Sequence, residues 1–77
     1  MNRSFYHYVM KYREPSPKTP QSEFANRMYD DLDFPKMSED YHEISEYVEL
    51  TEVYNDQISV FDDLWEDYRI TIKNELS

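Results

Sequence analysis

His42 and Glu46 stand four residues apart, with Asp40 and Glu43 beside them. On a helix that spacing puts an imidazole and a carboxylate on one face, as in a divalent-metal ligand pair or an acid–base pair. A structural zinc site wants four ligands, and in a chain without cysteine only His7 and His42 supply nitrogen donors. The expectation is therefore a solvated acidic helix with no metal. Asp62, Asp63, Glu66 and Asp67 offer paired carboxylates, but such a pair needs burial or a charged neighbour to split its pKa values. A run on the polar face of a helix has neither. Ser45 and Ser59 have no histidine at a spacing that marks a nucleophile and its base. The chain also lacks glycine, which excludes the phosphate-cradling P-loop and the dinucleotide-binding fingerprint. These residues predict a protein that is not an enzyme and holds no cofactor.

Arg3, His7 and Lys11 recur every four residues, with Tyr6 and Met10 alongside and Arg13 following. Such a stripe can contact phosphates and stack a base, dock an acidic protein surface, or balance the acidity of its own chain. The net charge is −9, unevenly spread. Residues 1–36 hold six Lys/Arg against five Asp/Glu, a net of +1, whereas residues 37–77 hold two against twelve, a net of −10. The second half repels phosphate backbones, so any nucleic-acid contact falls to the first half.

The elements that must position these groups follow from periodicity and punctuation. A first helix is predicted from about Ser4, a good N-cap, to Arg13, with Phe5, Tyr8, Val9 and Tyr12 facing inward. Residues 14–21 form a stiff proline connector, and Thr19 followed by Pro20 opens a second helix running to about Asp31. Its inward face is Phe24, Ala25, Met28, Tyr29 and Leu32. The run Asp33-Phe34-Pro35-Lys36 breaks that helix, with Phe34 expected to plug the bundle. A third helix is predicted from near Ser38 or Asp40 to near Leu50 or Thr51, with Asp40 and Glu43 reading as a capping box; it buries Ile44, Tyr47 and Val48 and turns Glu43, Glu46, Glu49 and Glu52 outward. A long last helix is predicted from about Thr51 to Glu75. Its stripe is Tyr54, Ile58, Phe61, Trp65, Tyr68 and Ile72, widened by Val53, Val60 and Leu64. Trp65 is expected as a core anchor whose truncation to Ala costs about 3–5 kcal/mol.

Three blocks, Ser4-Phe5-Tyr6-His7-Tyr8 through Pro15, Phe24-Ala25 through Asp33-Phe34-Pro35-Lys36 to Glu49, and Phe61 through Trp65 to Tyr68, resemble the small YozE-like bacterial family, which has a SAM-like (sterile alpha motif) fold. The resemblance covers nearly the whole chain. It implies a compact helical bundle ending in a long helix, and it implies no activity. Many SAM-like domains bind other proteins or themselves, and some bind nucleic acid. The self-polymerising pattern has a basic patch near the start of the last helix, where residues 51–56 here are acidic.

Seventy-seven residues make one domain, spanning 1–77. For its mass of 9.5 kDa the folded surface should be roughly 5,000 Å², against about 14,000 Å² unfolded. No apolar run is long enough to cross a membrane, no export signal opens the chain, and the absence of cysteine agrees with the cytoplasm. The expected architecture is all-α, a SAM-like bundle of four main helices with a long C-terminal helix. The expected function is non-catalytic binding of a protein partner, with a nucleic-acid interface on the first helix as the alternative and weak self-association also open. The candidate partner-binding residues are Arg3, Tyr6, His7, Lys11, Lys36, Tyr41 and His42.

Overall fold

The computed structural model describes the backbone of residues 3–76 and the side chains of residues 3–74. Four α-helices follow in order: α1 (Phe5–Val9), α2 (Pro20–Asp30), α3 (Tyr41–Leu50) and α4 (Ile58–Leu76). Two 3₁₀ turns, Met10–Tyr12 and Glu52–Gln57, extend α1 and precede α4. No strand occurs among the described residues.

The helix starts are those that the capping residues dictate. Ser4 Oγ accepts the His7 N–H at 3.2 Å, and Thr19 Oγ1 accepts the Ser22 N–H at 3.1 Å with Pro20 in the first helical position. The Asp40 carboxylate accepts from both His42 and Glu43 N–H at 3.3 Å. Only this half of the expected capping box forms, because the Asp40 N–H goes to Ser38 Oγ.

Two helices are shorter than their periodicity predicts. The first tightens at Met10, and Arg13 leaves it extended. Glu14 is held there by α2: its N–H meets Asn26 Oδ1, its carbonyl accepts Asn26 Nδ2 at 2.8 Å, and its carboxylate accepts from Ser22 Oγ at 3.0 Å. Pro15 keeps Glu14 out of the helical region as well. The last helix begins at Ile58 rather than Thr51. In the preceding 3₁₀ turn, residues three apart eclipse, so Tyr54 and Gln57 both bury while Val53 is left 48% exposed. The Gln57 side chain donates to Pro20 O, and Arg27 clamps the turn through Val53 O at 2.7 Å and Asp56 at 2.8 Å.

No described residue has a positive φ. Helices α2 and α3 instead exit through Asp31 and Thr51 in extended conformation, each donating its N–H back to a carbonyl of the last turn. Asp31 adds an Asx turn by accepting the Asp33 N–H at 3.1 Å.

Helix α4 touches the other three helices, and one core lies between them. Phe5 sits at its centre, edge-on to Phe61 and Tyr68 at 5.5 Å each. The Tyr68 hydroxyl donates to Arg3 O, which fastens α4 to the start of the described chain. The molecular surface is 5120 Å², in line with the size expectation. Leu32 and Tyr29 depart from the predicted inward face of α2. Leu32 lies past the helix end and is 85% exposed, and Tyr29 lies under the Arg13 guanidinium, 3.5 Å from its ring centre.

Trp65 is partly buried at the edge of the core rather than inside it. Trp65→Ala is therefore expected to cost roughly 2–3 kcal/mol, below the 3–5 kcal/mol of a fully buried ring. Urea unfolding followed by circular dichroism would measure it.

Candidate interaction surface

Phe34, in the connection between α2 and α3, turns into the core. Its buried ring meets Tyr47 edge-on at 5.3 Å, Tyr54 at 6.1 Å and Tyr6 at 6.0 Å. It is the plug that its position after a helix break predicts. Around it, the candidate residues separate into three neighbourhoods.

In the first, the Lys36 ammonium lies 5.8 Å from the centre of the Tyr6 ring, which itself packs on Phe34. The helix-1 stripe and the Phe34 segment thus meet through these two residues. In the second, Tyr41 stacks on Phe61 at 6.1 Å and leans on Trp65 at 5.2 Å while remaining 47% exposed. Trp65, Tyr68 and Tyr8 continue this aromatic row to Lys11, whose ammonium lies 4.1 Å from the Tyr8 ring centre. In the third, His42 is exposed on α3 and pairs with Glu46 at 3.6 Å. Arg3 and His7 are exposed, and their backbone groups serve the fold, in the bonds from Tyr68 and to Ser4.

His42 lies on the wall of a groove of about 460 Å³. Asp33, Asp40, Glu43 and Glu46 rim it, and Pro35, Tyr47 and Leu50 supply its apolar surface. Leu50 was not among the candidates. Its spacing of four from Glu46 and eight from His42 was the available signal, since that places all three on one helical face. A second groove, of about 550 Å³, carries the Arg13–Tyr29 stack between Met10, Glu14, Pro15, Asn26 and Asp30. No three His, Asp or Glu side chains converge as a metal site would need, among the described residues.

The wall residue Tyr47 is fixed from behind. Its hydroxyl donates to Asp31 at 2.6 Å, and the buried Tyr54 donates to the same carboxylate oxygen at 2.9 Å. Burial works against the charge of Asp31, but the bonds from Tyr47, Tyr54 and the Asp33 N–H outweigh it and hold the carboxyl below its ordinary range. Burial, then the bond to Asp31, pushes Tyr47 up to about 12 and raises Tyr54 too. A raised tyrosine stabilises the fold below its unfolded pKa, about 10, and that contribution disappears as pH rises through the folded value. Stability is therefore expected to fall between pH 10 and about 12, together with the tyrosinate absorbance change, as urea unfolding across that range would show. For Asp31 the sign reverses. Its contribution is present above about pH 4 and is lost as pH falls through its lowered value.

The YozE SAM-like fold family matches residues 4–69. The chain is 50% identical to a UPF0346 protein of Bacillus velezensis, over 91% of this chain and 95% of that one. It is 54% identical to the UPF0346 protein YozE of Bacillus subtilis, over 86% of this chain and 89% of that one. The solution NMR structure of the Bacillus subtilis protein superposes with a TM-score of 0.86 at 49% identity, covering 97% of this chain and 92% of that one. No helix among the described residues is long and apolar enough to cross a membrane.

Proposed function

The chain belongs to the YozE SAM-like family, and from that footing we propose that it is a non-catalytic module that binds a protein partner in the cytoplasm. The observation that carries this reading is Tyr41. Its ring is half-exposed yet held from beneath by Phe61 and Trp65, so little side-chain freedom remains to be lost when a partner covers it. Lys36 over the Tyr6 ring, and His42 beside Glu46, offer polar groups in neighbourhoods of their own, apart from the Tyr41 ring. Charged faces would steer the encounter and aromatic burial would hold the complex.

Affinity capture with the tagged chain, compared with its Tyr41→Ala/Lys36→Glu variant, tests the reading. A protein retained by the first and lost by the second supports it. Capture that is unchanged by both substitutions overturns it.

A nucleic-acid interface is the second reading. The Arg13–Tyr29 stack is what favours it, since an exposed tyrosine under a guanidinium is a platform on which a base can continue. Glu14 and Asp30 line the same groove and oppose a phosphate backbone. A gel shift at low salt that retains neither DNA nor RNA removes this option.

A further inference from the structure

Resting on the reading of the chain as a protein-binding module, we infer that the groove along α3 is the docking site for a basic segment of another protein, one that carries an aliphatic side chain. Three observations converge on that occupant. The first is the wall: Leu50 is 76% exposed beside Pro35 and Tyr47, an apolar surface that water covers at a cost. Tyr47 is tied to Asp31, so this wall is preorganised.

The second is the rim. Asp33, Glu43 and Glu46 flank the apolar surface, while Asp40 is already engaged in capping α3. His42, the basic group that lines the groove, pairs with Glu46. Glu39, Glu49 and Glu52 are exposed along the same stretch of chain and extend the negative field beyond the rim. A lysine or arginine beside an aliphatic residue matches this pattern: the apolar side chain meets Leu50 and the cation meets the carboxylates.

The third is the charge of the whole molecule. Residues 37–77 carry −10 and the chain −9. Two copies therefore repel one another, as do this face and a nucleic acid or an anionic membrane. A cationic protein segment is attracted.

The test uses the full chain and a labelled peptide of lysine and leucine, followed by fluorescence anisotropy and by amide NMR shifts. The peptide is expected to bind with shifts gathered at Glu43, Glu46 and Tyr47, and to lose about tenfold in affinity in Leu50→Ser and in Glu46→Lys. An all-lysine peptide should bind more weakly, and a glutamate–leucine peptide should not bind. Shifts gathered on Asp62, Asp63 and Glu66 of α4 overturn the assignment. So does equal binding of the all-lysine peptide, or affinity unchanged by both substitutions. Circular dichroism of each variant separates lost binding from lost folding. A partner captured through Tyr41 but indifferent to Leu50→Ser would leave the module reading standing and remove the groove.

Discussion

Phe34→Ala is expected to lower the melting temperature by about 15–30 °C and to leave much of the chain unfolded at physiological temperature. The ring is 3% exposed and touches Tyr6, Tyr47 and Tyr54, so its loss opens a cavity where three segments meet. Truncating a buried phenylalanine costs about 3–5 kcal/mol. A chain of this length holds roughly 4–12 kcal/mol in total, so the loss is a quarter or more of what keeps it folded. Thermal unfolding followed by circular dichroism measures the effect. A shift of only a degree or two would mean that Phe34 is a surface ring in solution, because exposed positions change stability by less than about 0.5 kcal/mol.

Asp31→Ala is expected to cost about 2–3 kcal/mol. The substitution removes the acceptor shared by two hydroxyls and strands that of the fully buried Tyr54, whereas Tyr47 lines the open groove. An unsatisfied buried donor costs about 1–3 kcal/mol, and a bond to a charged partner is worth about 1.5–3 kcal/mol. Asp31→Asn keeps an acceptor without the charge and should cost roughly half as much. Adding Tyr54→Phe to Asp31→Ala should recover part of the loss, because both partners are then gone. Urea unfolding of this set checks the three values together. Equal stability of Asp31→Ala and Asp31→Asn would show that the cluster contributes no hydrogen-bond energy.

The sequence carried much of this fold in its local chemistry. Ser4, Thr19-Pro20 and Asp40 open the helices where capping preference places them. The helical spacings of Phe5, Tyr8 and Val9, of Phe24, Ala25 and Met28, and of Ile44 and Val48 all turn into the core. The break before α4 was hidden. Tyr54 and Ile58 are four apart and Tyr54 and Gln57 three apart, so a 3₁₀ turn running into a helix keeps an apolar stripe that resembles one continuous helix. What distinguishes the two is tertiary: Arg27, Asp31 and Pro20 O reach this turn from 23 to 37 residues away. The role of Asp31 was out of reach for the same reason, although eight tyrosines in so short a chain pointed to buried hydroxyls in want of acceptors. Of the candidate surface, Tyr6 and Lys36 do come together. Tyr41 and His42, adjacent in sequence, serve different surfaces, because neighbours on a helix point about 100° apart.

Every described residue keeps φ negative, and the chain ends its helices without glycine. The consequence lies in the unfolded state. A chain of average composition would hold roughly five glycines, each widening the range of unfolded conformations by about 0.4–1 kcal/mol of entropy relative to alanine. Without them the disordered ensemble is smaller by about 2–5 kcal/mol, a quantity comparable to the net stability of a small domain. Part of what keeps this bundle folded is therefore found in no contact of the native structure, but in the freedom that the unfolded chain lacks.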